Sequence, residues 1–408
     1  MFAWIAATKP RAALCLCFAV APVQRSLPSL PFKMTLADLN VLIAFVVFCI
    51  QRISSRQSIR WGPLGMPIVV YLLICAVSSI TDWRGDATIL SFAQMVPYFL
   101  FDVIVFSSFG RGLEALRPAI YGLLCVGLFL GLSVIASGSP QVYGMNKNGL
   151  GSSLACIAVV AAELWLSATN ARKKRIFLGC LGVVASALLI TLSRGAWMGA
   201  TAGLGFILFL RRDFKTLGRL FAVVIPLIAI CWTALPNENK DFATGFDSHR
   251  ENIRLRLAFI DIAIVKFKEN PIFGAGVGLR KELDATNIVL MTMAETGIVG
   301  LLAFLGIHYV LLRMVWRAHL SLSRTSWSFS CLAIGGALVL VKLVHGCVDH
   351  YWSRGALTLA WAGAGIATRA FYVSQFVAPA STAIKGRMTN QPQFPPSRRP
   401  MAGLPPAI

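Results

Sequence analysis

PAIYGLLCVGLFLGLSVIAS (118–137) runs for twenty residues without a charge, about the length a helix needs to cross the hydrocarbon core of a bilayer. Apolar runs of the same kind recur at 36–50, 62–80, 87–109, 149–168, 176–193, 195–210, 220–235, 288–312, 327–346 and 354–373, with a shorter one at 12–24. Read together they predict an all-α polytopic membrane protein with about 12 transmembrane helices. Composition agrees: 57% of the 408 residues are hydrophobic and 13% charged, with a mean hydropathy of +0.71. A soluble domain carries about 25% charged residues, so soluble and disordered classes are excluded. Unbroken runs, in place of short alternating segments, exclude an outer-membrane barrel. The 12–24 run contains Pro22 and follows Lys9 and Arg11. It reads as a first span, as a leader-like segment, or as an upstream extension if translation starts at Met34.

The net charge of +21 would suggest nucleic acid in a soluble protein. In a membrane chain it is read first as topology, and no nucleic-acid partner is expected. Alternate connections (1–11, 51–61, 110–117, 169–175, 211–219 and 313–326) carry eighteen Lys and Arg, against six in the short connections between them. The positive-inside rule makes the first set cytoplasmic, with both termini inside. The organisation that follows is 1–235, N-terminal transmembrane helices; 236–287, one large periplasmic loop; 288–373, C-terminal transmembrane helices; and 374–408, a basic, Pro-rich, disordered cytoplasmic tail. The loop holds eight basic and eight acidic residues. Ser248-His-Arg-Glu251 is a capping-box start, Ile253, Leu257, Ile260, Ile264 and Phe267 recur at helical spacing, and Asn270-Pro271 ends the run. An amphipathic helix over 249–268, lying on the outer membrane surface, is expected. The ten cysteines form no CxxC and no Cys/His grouping of metal spacing, so neither a disulfide framework nor a metal site is expected.

Four segments stand in order in the second half: TLSRGAWMGA (191–200), RLRLAFIDIAI (254–264), ENPIFGAGVG (269–278) and TNIVLMTMAETGIVGLLAF (286–304). This set resembles the O-antigen ligase and O-antigen polymerase superfamily of bacterial inner-membrane proteins, with GMNKNGLGSSLA (144–155) as a weaker upstream match. The resemblance implies a multi-pass glycosyltransferase of surface polysaccharide and lipopolysaccharide assembly, working at the periplasmic face of the inner membrane without metal or other cofactor. Its partners would be an undecaprenyl-diphosphate-linked glycan as donor, a lipid or glycan acceptor, and the membrane lipids. The resemblance also implies that an arginine of the SRG turn and one on the loop helix bind the donor diphosphate. Arg194 matches the first, and Arg256 best matches the second, with Arg254 two residues before it. A histidine before Asn at the start of the next span would act on the acceptor hydroxyl. Here Thr286 precedes Asn287, and no histidine lies between His249 and His308. Ile260 also stands where the family often has Trp.

The arginines have a physical rationale of their own, because guanidinium forks grip phosphate oxygens two at a time and keep their charge. The competing reading is that Arg194 snorkels to headgroups and that Arg254 and Arg256 bind lipid. GAGVG (274–278) lacks the preceding strand and the Lys-Ser/Thr of a phosphate loop and reads as a helix breaker. Glu295 falls inside a span, where an ionisable group is costly. It is a catalytic candidate or else pairs with a donor from another segment. Asp102 and Glu163, also within spans, read as paired groups or as neighbours of the headgroups, the alternative being a proton or ion path in a transporter. VHGCVDHYWSRG (344–355) gathers His345, Asp349, His350, Trp352 and Arg354. His350 with Asp349 is the first candidate for the missing proton acceptor and His249 the second. The alternative is an interfacial belt anchored by Tyr351 and Trp352. Two other functions remain open at this level: a transporter of polysaccharide or small anions, for which no internal repeat is visible, and a non-catalytic relative lacking its histidine.

Overall fold

A computed structural model describes residues 1–24, 34–57, 59, 61–110, 112–216, 218, 219, 222, 251–352 and 355–389, with backbone alone at 251–253 and 376–389. The expected span 220–235 apart from residue 222, the first part of the loop with His249, Arg354, and the tail beyond 389 lie outside these residues.

The described residues are helical, without strands. In chain order the helices are α1 (Phe2–Thr8), α2 (Pro10–Ala19), α3 (Leu36–Ser54), α4 (Gly62–Thr81), α5 (Asp86–Val96), α6 (Val103–Ser108), α7 (Arg117–Ser137), α8 (Lys147–Ser167), α9 (Ala171–Ile190), α10 (Arg194–Arg211), α11 (Glu251–Glu269), α12 (Leu279–Glu282), α13 (Ile288–His319), α14 (Trp327–Gly346) and α15 (Ala356–Thr389). Seven helical stretches among them are long and apolar enough to cross a membrane: Leu36–Ser54, Gly62–Thr81, Asp86–Ser108, Leu113–Ser137, Lys147–Ser167, Ile288–His319 and Trp327–Gly346. α9, α10 and α15 stand where spans are expected but fall outside that set. Their apolar lengths are cut by the basic ARKKR start of α9, by Arg194 and Arg211 at the two ends of α10, and by Arg369 within α15. The 12–24 run forms only the ten-residue α2.

Two expected spans are not regular. Between α5 and α6 a π-helical turn, Pro97–Asp102, opens the ladder. Proline at its start has no N–H and crowds the preceding turn, which favours the wider winding. α13 is broken at Gly297, whose φ of 64° and ψ of −166° are not helical. The backbone groups freed there are taken by the segment before α12: Ile298 N–H donates to Pro271 O (2.9 Å), Ala275 N–H to Ala294 O (2.8 Å) and Gly276 N–H to Glu295 O (2.9 Å). Irregular backbone inside such a fold persists only when its polar groups are satisfied in this way. The approach is so close that a Cβ on Gly274 would lie 2.3 Å from the Glu295 carbonyl carbon, and one on Gly297 would lie 2.1 Å from Ile272 O. The GAGVG stretch is thus a plug for a broken helix.

Small residues set the centre of the fold. On α10, Gly195, Gly199 and Gly203 face α14; a Cβ at Gly199 would meet Val341 O at 2.7 Å, and one at Gly203 would meet Val341 Cγ2 at 2.5 Å. On its other side α14 meets α15, where Gly335 and the Gly363 carbonyl touch. Such small-residue stripes let helix backbones approach where no hydrophobic effect drives association. α8, rich in Gly, Ser and Ala, is buried along almost its whole length. Large apolar side chains such as Ile50, Leu73, Ile80, Leu302 and Tyr309 are exposed instead, as a lipid-facing surface requires.

Contacts between connections sort into two ends. At one, Arg211 Nη1 donates to Arg324 O (3.2 Å), Trp327 Nε1 to Leu113 O (3.0 Å) and Arg369 Nη1 to Phe109 O (2.9 Å). At the other, Gln24 Nε2 donates to Gly149 O (2.7 Å), Arg84 Nε to Ala275 O (3.3 Å) and Asn287 Nδ2 to Cys347 O (2.9 Å). Each group joins segments that the charge alternation puts on one side. Glu163, fully buried, accepts from Arg211 Nε at 2.8 Å, and Asp102 is buried in the π-helical turn.

Candidate active site

The second group of contacts surrounds the turn 347–352 between α14 and α15. Four elements converge on it. The first is the start of α10. Thr191–Ser193 make a tight turn in which Leu192 has a φ of +52°, and the Trp197 indole N–H reaches back to Leu188 O at the end of α9 (2.9 Å). The helix therefore begins at Arg194, whose side chain is exposed. Its neighbour Gly195 abuts the turn: a Cβ there would lie 2.8 Å from Val348 Cγ2 and 3.2 Å from His345 Cδ2. The glycine stripe on α10 thus places Arg194 at the rim of the turn.

The second element is α11. Its Phe259, Ile260 and Ala263 pack with Met291 and Ala294 of α13, while Leu255, Leu257, Ile262 and Val265 are exposed. The expected apolar stripe is therefore split, since Leu257 faces outward. Arg256 is half-buried and its Nη1 donates to Val348 O (3.3 Å), whereas Arg254 is exposed.

The third element is the start of α13. Asn287 caps the helix by accepting from Val289 N–H (3.0 Å) and Leu290 N–H (3.1 Å), and its Nδ2 holds Cys347 O. Thr286 beside it has a φ of +50°.

The fourth is the segment around α12. Arg280 is buried, and its backbone N–H and Nε both donate to Glu295 Oε1 at 2.8 Å while Nη2 meets Oε2. The guanidinium also lies 3.9 Å from the centre of the Trp352 ring. Glu295 is thus the partner of Arg280, and both its oxygens are occupied.

Within the turn, Asp349 is buried and accepts the backbone N–H of His350 through Oδ1 (2.7 Å). Its other oxygen is 4.0 Å from His345 Nε2, beyond a hydrogen bond. The carboxylate that meets the His350 imidazole is Asp284, with Oδ2 2.6 Å from Nδ1 across 66 residues of sequence. His350 and Asp349 are neighbours in sequence, but the Asp349 carboxylate accepts from the His350 backbone N–H, and the ring bonds Asp284. The His350 side chain is 55% exposed and that of Asp284 24%. The hydrogen bond to Asp284 raises the imidazole pKa above its ordinary value, against the opposing effect of partial burial. Burial pushes Asp284 up, but the His350 hydrogen bond and charge and the Thr286 N–H outweigh it and hold the carboxyl below the usual range. Lys342, wholly buried on α14, donates to His350 O (3.1 Å).

The fold therefore gathers Arg194, Arg256, Asp349 and His350 around one turn. Glu295 lies one layer below, engaged by Arg280, and Arg254 points away on the exposed side. Asp284, Arg280 and Lys342 were not singled out from the sequence. Lys342 carries the signal of an ionisable residue in the middle of an apolar run, and Asp284 sits two residues before the position where a histidine is absent. Among the described residues no group of three or more His, Cys, Asp or Glu gathers as for a metal ion.

A comparison with curated proteins yields no match. Residues 179–305 match the family model described as O-antigen ligase. This stretch takes in α10, α11, the α12 segment and the broken part of α13, and stops short of the turn that carries His350. Over that stretch the match supports the resemblance to the O-antigen ligase and polymerase superfamily that the order of the four motifs carries.

Proposed function

We propose that the protein is a periplasm-facing glycosyltransferase of surface polysaccharide assembly, of ligase or polymerase type. It would act in the bacterial inner membrane on a glycan carried by undecaprenyl diphosphate, with twelve spans and the 236–287 loop on the periplasmic side. The carrying observation is the convergence of Arg194, Arg256 and His350 on the turn after α14. Two guanidinium groups at the rim suit a lipid diphosphate, whose charge grows as it leaves. In the step envisaged, an acceptor hydroxyl oxygen forms a bond to the anomeric carbon of the donor sugar. The bond from that carbon to the diphosphate oxygen breaks, its electron pair stays with the lipid diphosphate, and the hydroxyl proton passes to His350 Nε2. Arg194 and Arg256 stabilise the leaving group, and His350 takes the place of the histidine missing at 286. Glu295 holds Arg280, and through it the floor of the site, in place.

The transporter reading gains one observation, the interrupted helix at Gly297, since such breaks bind substrates in transporters. Here, however, the 271–276 segment occupies the backbone groups at the break, which favours a static plug over a transit site. The test is deletion of the gene in the source bacterium, followed by analysis of its surface polysaccharides and the glycans left on lipid. Accumulated lipid-linked glycan supports ligation, short chains support polymerisation, and unchanged glycans overturn the transferase reading. Orientation is tested separately by alkaline phosphatase fusions, expected to be active after residue 240 and inactive after 215. The opposite pattern would remove the site from the face where a flipped donor waits.

A further inference from the structure

We infer that Asp284 is the positioning residue of the site: its carboxylate fixes the tautomer and direction of the His350 imidazole, so that Nε2 is the atom left to receive the acceptor proton. This rests on the transferase reading above and adds to it a residue outside every motif that carries the family resemblance.

Both halves of the dyad are held by rigid surroundings. On one side, Arg280 is fixed by Glu295 and by the Trp352 ring, and Leu279, Leu283 and Ala285 are buried against Met291 and Ala294. Between them and the cap at Asn287, Asp284 Oδ1 accepts the Thr286 N–H (2.9 Å). That short loop is closed by the positive φ of Thr286, and it leaves Oδ2 for His350 Nδ1. On the other side, the His350 backbone is held on both sides of its Cα: its N–H donates to Asp349 Oδ1 and its C=O accepts from Lys342 Nζ. An imidazole that donates Nδ1–H to a carboxylate presents an unprotonated Nε2, and the carboxylate stabilises the imidazolium that forms when Nε2 takes a proton. The half-exposed ring, in contrast to the buried His345, leaves that nitrogen within reach of a substrate.

The charged and titratable groups facing the dyad are Asp349 on its own turn, Lys342 and His345 on α14, Arg256 on α11, Arg280 on α12 and Glu295 on α13. The side chain that hydrogen-bonds the ring is Asp284. Removing its charge while keeping its shape, as in Asp284→Asn, should lower the His350 pKa. The base would then be neutral at lower pH but less well oriented and less basic.

The experiment uses full-length protein in nanodiscs and, for activity, membranes of the deletion strain, which retain their own donor and acceptor. Histidine NMR follows the five imidazoles, with His350→Gln assigning the signal of interest. Asp284→Asn is expected to shift the His350 titration to lower pH, to slow transfer about tenfold or more at neutral pH, and to move the acid limb of the pH–rate profile in the same direction. Asp284→Glu should recover part of the rate. The double variant Asp284→Asn/His350→Ala should be no slower than His350→Ala alone, because a residue acting through His350 has nothing further to lose. An unshifted His350 titration overturns the inference, and so does a double variant much slower than either single one. If His350→Ala itself transfers at the normal rate, it is the proposed base that fails, whatever Asp284→Asn does.

Discussion

Two carboxylate pairs bracket the segment 280–287, and they differ in what they leave over. Arg280 and Glu295 are both buried, and both oxygens of the carboxylate face the guanidinium or its backbone N–H. Asp284 and His350 are joined by one hydrogen bond, with the ring half in solvent. The closed pair shows where the chain is fixed; the open pair leaves one nitrogen for chemistry. A charged residue in a membrane fold is a functional candidate by default, but the number of its donors and acceptors already engaged separates scaffold from reagent. Glu295 and His350 were equal candidates in the sequence, and that count divides them.

The comparison breaks most severely at the closed pair. Glu295→Ala or Arg280→Ala leaves a buried charge without its partner, a loss of about 3–5 kcal/mol in soluble proteins. Either variant is expected to fall in membrane abundance and in melting temperature by fluorescence-detected chromatography. Replacing both residues by apolar ones of similar volume should recover much of that loss, since a buried pair is commonly replaceable as a unit. A single variant with normal stability would show that the pair is not the scaffold, and would return Glu295 to the list of reacting groups.

Next in size are the arginines on the open side. Arg194→Lys keeps the charge but loses the fork, and the expected loss is about 10²–10³-fold in transfer, the size seen when one preorganised donor to a developing anion is removed. Arg256→Lys should lower activity too, since a lysine loses the fork that lets one guanidinium hold Val348 O and still face a phosphate. Both proteins should be present at normal level. Full complementation of a deletion strain by Arg194→Ala would reduce that residue to a headgroup contact.

How much of this was legible in the sequence depends on the range of the interaction. Helix positions followed from local runs of apolar residues, and α11 ends within a residue of its expected bound because its stop, Asn270-Pro271, is local. The break in α13 was not legible. TMAETGIVG reads as continuous apolar helix, and Gly297 departs from it only because Pro271 and Ile272 come from another part of the chain to satisfy the freed N–H groups. The SRG turn and the His345–His350 cluster were visible as candidates, but not the packing of Gly195 against Val348 that unites them. Asp349 was paired with His350 by adjacency, whereas the contact that forms is with Asp284. Lys342 was hidden by its apolar neighbours, whose hydropathy outweighs one charge.

His350→Ala sharpens the comparison from the other side. Transfer should drop at least tenfold with abundance and melting temperature unchanged, because the ring is half exposed and its loss leaves no cavity. Thr286→Ala should be nearly silent, its contribution to Asp284 coming from backbone N–H. In the wild type the rate should fall as pH drops through the His350 pKa, which lies above the ordinary imidazole value, since only the neutral ring accepts a proton. A damaging Thr286→Ala with a silent His350→Ala would give the role to the threonine hydroxyl.

The smallest expected effect is at Arg254, and it tests whether proximity in sequence or engagement in the fold decides. Arg254 and Arg256 lie two residues apart on α11, which turns their side chains about 200° from each other. Arg256 is half-buried and holds the turn, while Arg254 is exposed. If donor binding were a matter of general positive charge at the membrane surface, the two alanine variants would lose similar activity and both losses would shrink at high ionic strength. If the diphosphate is gripped at the turn, Arg254→Ala should lose less than about threefold, on the scale of a surface charge, while Arg256→Ala loses far more. Equal losses would mean that α11 attracts the donor by its field, and that Val348 O is merely where Arg256 rests.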